Sequence, residues 1–412
     1  MHLILAVLSC LALALGQTLP LHTSSRWILD AANSRVKFRC VNWAGHLETN
    51  TPEGLDKQPI DYITSWIHAQ GFNCVRLTYS IDHALNSNVL VSDAFAAAAT
   101  AAGVSAQSMT NTYNNAVGKN PFLASATTQD VFGAIVDSLW SKGVMTILDN
   151  HVSKASWCCS VTDGNGWWNT ASGYNDLNSR YFVTSDWLNG LQAMATWAQS
   201  HPGVVAMSLR NELRQFLLQD LTANNDWYTY VSQGAVRVHQ TNPDVLIIIG
   251  GISSATDLSM LKTANLDTSA WAGKHVWEFH AYPDTTTFPA TQVFGSCDLV
   301  NAEYGALDGF VLQQGASYTA PLILSEFGVA MTGGPNQGLS DRDHDYLDCL
   351  VKYAISNDID WAIWPLQGTY YVRQGVVGWE ETWGVISDDW SGWRNPQFPP
   401  MLGAMWNVTQ GP

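Results

Sequence analysis

Basic residues are scarce in this chain: 19 Lys and Arg stand against 35 Asp and Glu in 412 residues, a formal charge of −16. No Lys/Arg-rich run occurs, which sets aside nucleic acid and anionic membrane surfaces as partners, since both are held by clustered cations. Zinc-type spacings are missing as well. There is no CxxC, HxH or HExxH, so no metal site is expected. Short internal repeats and Pro/Ser/Gly-rich linkers are lacking too, which argues for one domain without an appended binding module. After the first twenty residues no apolar stretch approaches the roughly 20 residues needed to span a bilayer.

Those first residues, MHLILAVLSCLALALGQTLP, read as an export signal: an apolar run followed by small residues, with cleavage expected after Gly16. Residues 1–16 are then the signal peptide, 17–412 the mature domain, and the protein is expected to be secreted and monomeric. Six cysteines remain, Cys40, Cys74, Cys158, Cys159, Cys297 and Cys349. An even count in an exported chain suggests disulfides, and the adjacent Cys158 and Cys159 are expected to pair with different partners. Asn407-Val408-Thr409 is a glycosylation sequon, consistent with export. The acidic composition points to mildly acidic surroundings.

Tryptophan is abundant, with 19 residues and clusters at Trp167-Trp168 and at Trp379, Trp383, Trp390 and Trp393. Core packing accounts for such residues in general, and stacking on the apolar faces of sugar rings is the other use of the same ring.

A recurring unit organises the chain: a short apolar run, a polar loop, then helical periodicity. Eight runs occur, at 35–45, 72–80, 143–152, 204–213, 245–251, 275–282, 321–328 and 360–368. Apolar strands alternating with amphipathic helices indicate a parallel sheet covered on both faces, and eight units indicate a (β/α)8 TIM barrel. Two connections are long. Residues 81–127, with the Ala-rich AFAAAATAAG, are expected to hold a short helix and an irregular excursion. Residues 153–185, with the cysteine pair and GNGWWN, are expected to lie over the barrel mouth.

Barrels of this kind carry their chemistry at the C-terminal ends of the strands. Strand one ends in Asn42-Trp43, strand two in Arg76 and strand three in Asp149-Asn150-His151. Strand four ends in Asn211-Glu212, strand six in His280-Ala281-Tyr282, strand seven in Glu326 and strand eight in Trp364, whereas strand five ends in Gly250-Gly251. Singly, each has a bland use: Asn211-Glu212 could begin a helix, Arg76 could be a structural ion pair, and the histidines and aromatics could pack. Together they place two carboxylates, on strands four and seven, among polar partners. Glycoside hydrolysis needs that pair, one acid to protonate the leaving oxygen and one carboxylate at the anomeric carbon. Glu212 is expected to stay protonated because an ionised Glu326 nearby disfavours a second negative charge. Side-chain alternation requires a twist or bulge for Asn211 and Glu212 to face one site, and it puts Glu278 inside the barrel as a structural residue.

The set Arg76, His151, Asn211-Glu212, His280-x-Tyr282, Glu326 and Trp364 resembles glycoside hydrolase family 5, a cellulase family with catalytic glutamates on strands four and seven. VNWAGHLET, GFNCVRLTYS, LDNHVSKASWCC and SLRNELR resemble its cellulase-like plant and fungal branch. The resemblance spans about residues 26 to 395. It implies Glu212 as acid/base, Glu326 as nucleophile and Trp364 as platform for the sugar being cleaved. Arg76, His151, Asn211, His280 and Tyr282 would support them, with Trp43 also at the rim. The family's Asn-Glu-Pro is Asn-Glu-Leu213 here, a change outside the chemistry. The expected function is therefore a secreted retaining β-glycosidase needing no cofactor, acting on a β-glycan and most simply an endo-β-1,4-glucanase. An exo-acting β-glycosidase or β-mannanase of the same mechanism is the alternative, and a catalytically silent carbohydrate-binding protein is the alternative of another class.

Overall fold

The computed structural model describes residues 17–283 and 297–412; the expected signal peptide lies outside the described residues. Eight parallel strands close into a barrel: β1 (Arg39–Trp43), β2 (Cys74–Ser80), β3 (Met145–Val152), β4 (Val204–Ser208), β5 (Leu246–Gly250), β6 (His275–Ala281), β7 (Leu322–Phe327) and β8 (Asp360–Ile363). Each strand pairs with its sequence neighbours, and β8 closes on β1. Every strand lies within one of the eight apolar runs, so the (β/α)8 expectation holds. Among the described residues no helix is long and apolar enough to cross a membrane.

Alternation sorts the strand residues into two cores. On β2, Val75, Leu77 and Tyr79 join the large cluster under the outer helices, while Cys74 belongs to the inner cluster. The inner cluster fills the lower barrel with Cys74, Met145, Ile147, Val276 and Ile323. Above that apolar plug the inward positions become Arg76, Thr78 and Glu278, all wholly buried. Charge thus enters the barrel from above, through Arg76 and Glu278, and at its floor through Asp360, which is on the same face of β8 as Ala362 and pairs with Arg35 at 3.2 Å.

Two expectations need correction, and for Trp167 and Trp168 the packing reading holds. Residues 81–127 are mostly helical, with helices Ile81–Leu85, Val91–Ala101 and Ala106–Lys119; helix caps at Ser80 and Ser105 start two of them. Trp167 and Trp168 are fully buried and pack on each other, Trp168 also on Phe182 and Trp187, so they anchor the loop rather than face a ligand. Trp43 is likewise no rim residue. It follows the inward Asn42 on β1, so alternation turns it outward, where its indole donates to the Glu53 carbonyl at 2.9 Å and its ring meets Trp390.

Trp390 explains a glycine. Gly54 has φ +88°, and a Cβ there would lie 2.4 Å from the Trp390 ring. Gly54→Ala therefore combines a left-handed backbone with overpacking, and it should destabilise by about 3 kcal/mol. A lower urea midpoint with an unchanged slope would show this; a midpoint equal to that of the parent protein would contradict the packing account.

Candidate active site

Arg76 stands at the centre of the upper barrel, with no solvent exposure. One guanidinium nitrogen donates to Glu326 Oε1 at 2.6 Å and Asn42 Oδ1 at 3.0 Å. The other donates to Asp149 Oδ1 at 2.8 Å and Asn211 Oδ1 at 2.9 Å, with Glu278 Oε2 at 3.9 Å. Burial opposes the charge on Arg76, but Asp149, Glu326 and Glu278 more than restore it and raise its pKa. Gly250 makes room for this layer, because a Cβ there would come within 3.0 Å of Glu278 Oε1.

Glu326 reaches the interior through a bulge. Leu324 faces the outer helices, and strict alternation would send Glu326 after it. Against both neighbouring strands, however, the register slips by one residue around Ser325, so that His280 pairs with Glu326 and Ile363 with Phe327. Glu212 arrives by another route. β4 ends at Ser208, earlier than the apolar run suggests, and Glu212 adopts φ +42°. That left-handed residue lets Asn211 and Glu212 face one site. The following long helix begins only at Ala223, so neither residue starts a helix.

Around these carboxylates the predicted residues converge. His280 Nδ1 lies 3.0 Å from Glu212 Oε1 and 3.6 Å from Glu326 Oε2. The Tyr282 hydroxyl donates to Glu326 Oε2 at 3.0 Å. His151 Nδ1 lies 2.7 Å from Asp149 Oδ2; with that nitrogen donating, Nε2 is left to accept the Asn211 amide 3.3 Å away. Burial holds His151 and His280 below the ordinary imidazole range, so both are neutral. Trp364 stacks on His151 at 5.3 Å with an interplanar angle of 8°. Of the predicted set only Trp43 is left outside.

The two glutamates differ electrostatically. Burial pushes Glu212 up to about 7, against the opposing pull of Arg214 and Arg76. The main cause is thus desolvation and not the charge of Glu326, contrary to the sequence expectation. Burial also raises Glu326, and the Arg76 guanidinium on its Oε1 offsets part of that rise. Glu212, His280 and Glu326 offer ligand atoms within 4.8 Å of one another and could hold a cation, although Arg76 already supplies the local positive charge.

These groups open into a cleft of about 520 Å³, lined also by Trp157, Cys158, Cys159, Arg214, Arg373, Glu381 and Trp383. Cys158 and Cys159 are bonded to each other, which corrects the expectation of separate partners. Cys40 and Cys74 are register partners on β1 and β2, and Cys297 and Cys349 join two helices, so the adjacent pair has only itself. Its sulfurs face the Asn211 amide at 3.4 and 3.8 Å and the Arg214 guanidinium at 3.6 Å. Sequence reading missed the disulfide, Arg214 and Arg373 as cleft residues. Trp157 beside the cysteine pair and Trp383 in its cluster carried a signal; Arg373 carried none.

Comparison with known proteins agrees with this geometry. The model of the family described as Cellulase (glycosyl hydrolase family 5) matches residues 29–369. A glycosyl hydrolase 5 family protein from Chamaecyparis obtusa is 37% identical over 100% of this chain and 70% of its own length. An endoglucanase from Paenibacillus polymyxa is 22% identical over 93% of this chain and 86% of its own. The structure of an endocellulase from Pyrococcus horikoshii in complex with cellotetraose is similar with a TM-score of 0.71 at 16% identity, covering 95% of this chain and 100% of that one. A barrel with paired glutamates at the ends of β4 and β7, matched along most of its length, places this chain in glycosyl hydrolase family 5, the cellulase family, and makes it a glycoside hydrolase.

Proposed function

We propose that the protein is a secreted hydrolase of β-1,4-linked glucan that works by double displacement with retention at the anomeric carbon. The observation that carries this reading is the spacing of Glu212 and Glu326, whose oxygens approach within 4.8 Å across His280. Retaining enzymes hold their carboxyl groups about 5–5.5 Å apart, whereas inverting ones leave about 6.5–9.5 Å for a water. The glucan substrate is supported by the endoglucanase and by the endocellulase that binds cellotetraose. Secretion is supported by the N-terminal apolar run, by three disulfides and by an exposed sequon at Asn407.

In the first step a carboxylate oxygen of Glu326 bonds to the anomeric carbon as the glycosidic C–O bond breaks. Glu212 gives its proton to the departing oxygen. Arg76 on Oε1 and the Tyr282 hydroxyl on Oε2 fix the nucleophile's rotamer and favour its charged form against the effect of burial. Water then attacks the glycosyl–enzyme, losing its proton to Glu212, and Glu326 leaves. Trp364 lies under the sugar at the scissile bond. Asn211, held by Arg76 and His151, faces its 2-hydroxyl. His151, stacked on Trp364 and packed against the His46 ring, keeps that floor rigid.

The acid must be protonated, and its pKa of about 7 places the alkaline limit of activity there. kcat/KM should fall tenfold per pH unit above about 7, and a profile flat to pH 9 would exclude Glu212 as the acid. Glu326→Ala should lose at least about 10⁴-fold in kcat, a loss of roughly 5.5 kcal/mol of transition-state stabilisation. Glu212→Ala should lose comparably on glucan but keep much of its first-step rate on aryl β-glucosides, whose leaving groups need no proton. Equal losses on both substrates would contradict the assignment.

A further inference from the structure

We propose that the cleft is blind on the side of the cleaved sugar and that the enzyme removes single sugars from the non-reducing end, recognising that end with Arg373 and Glu381. This rests on the retaining reading above and refines which bond it reaches.

The topology fixes the side. The leaving group must lie toward the acid Glu212, where Arg214, Val161 and Ser254 line the cleft. Sugars preceding the scissile bond would run the opposite way, past Trp364 and over the ends of β1 and β2. In the barrel order, β8, β1, β2 and β3 follow one another, so a contact between the loops after β3 and β8 spans that path.

Such a contact exists. Trp157, from the loop after β3, meets Tyr370 edge-on at 5.6 Å and lies 3.4 Å under the Arg373 guanidinium. Arg373 also sits 5.3 Å from Tyr370 and 5.2 Å from Trp379, a cation held between aromatic faces. It is paired with Glu381 at 2.5 Å, and Glu381 accepts the Tyr370 hydroxyl at 3.0 Å. Gln367 ties Tyr370 to the loop after β1, donating to its hydroxyl at 3.1 Å and accepting from the Ala44 amide at 3.2 Å. The floor below is filled: His46 is fully buried, with its ring 4.0 Å from that of His151.

The wall abuts the sugar platform. Trp364 and Tyr370 form one apolar cluster, with Trp157 and Trp379 packed against it, so the wall stands directly beside the platform for the ring at the scissile bond. Arg373 and Glu381 both line the cleft and present a donor and an acceptor where a terminal sugar carries free hydroxyls. A chain continuing past that ring would have to displace the ion pair of the half-buried Arg373 with Glu381.

The test follows products from cellopentaose labelled at its reducing end, alongside the viscosity of a soluble β-glucan. The wild-type enzyme is expected to release glucose and labelled cellotetraose first, with viscosity nearly constant as reducing ends accumulate. Trp157→Ala should raise viscosity loss per bond cleaved several-fold, and Arg373→Ala should raise KM for cellopentaose more than it lowers kcat. Early internal fragments and a rapid fall in viscosity with the wild-type enzyme would overturn the proposal while leaving the retaining mechanism intact. If a variant fails to fold, the wild-type product pattern alone decides. Absence of hydrolysis on every β-glucan would overturn the reading beneath it, and this one with it.

Discussion

Everything in the upper barrel depends on one buried guanidinium. Arg76 meets Asp149, Glu278 and Glu326 without any solvent exposure, and each contact sets something else. Through Asp149 it fixes the tautomer of His151, through Asn211 it positions an amide toward the sugar, and through Glu326 it favours the charged form of one carboxylate. Buried ion clusters contribute little net stability, because desolvation offsets much of the Coulomb gain. The layer is therefore better explained by the charge states it enforces than by the folding energy it supplies.

That constraint also separates the two glutamates. Both are desolvated, so both are pushed toward the neutral form. Glu326 touches Arg76 directly and accepts from Tyr282, whereas Glu212 meets His280 and has Arg214 no nearer than 3.9 Å. Two chemically identical side chains thus reach different roles through which of them is in contact with the buried cation. Mutual repulsion is the weaker part of the explanation, since burial leads the causes in both.

The barrel was legible because eight apolar runs each end on a polar residue, and that pattern is local. Arg76, His151, His280 and Tyr282 follow simple alternation from their strands and were readable for that reason. Glu326 and Glu212 were found by type and position, yet the backbone that aims them was not readable. A bulge at Ser325 shows itself only against the registers of β6 and β8, and the left-handed φ of Glu212 only once β4 is seen to stop at Ser208. The Cys158–Cys159 bond follows from the other four cysteines meeting in space, a fact no spacing contains. Of the helices within 81–127 only the Ala-rich Val91–Ala101 was expected, because it alone has strong intrinsic propensity.

Both carboxylates reach the site by breaking the regularity of their strands, and this has a physical basis. A regular strand sends alternate residues inward about 6.6 Å apart along its axis, which is too coarse to bring two side chains from β4 and β7 to one anomeric carbon. A bulge or a left-handed residue moves a single side chain by a fraction of that step without disturbing the ladder below it. The irregularities therefore belong where the strands end, above the apolar plug, where the register no longer has to serve the core. The loop residues Trp157 and Arg373 face no such limit, because they are placed by contacts with each other. Chemistry fixed to the strands and chain length measured by loops can then change independently, one by single-residue shifts and the other by how far two loops reach toward each other.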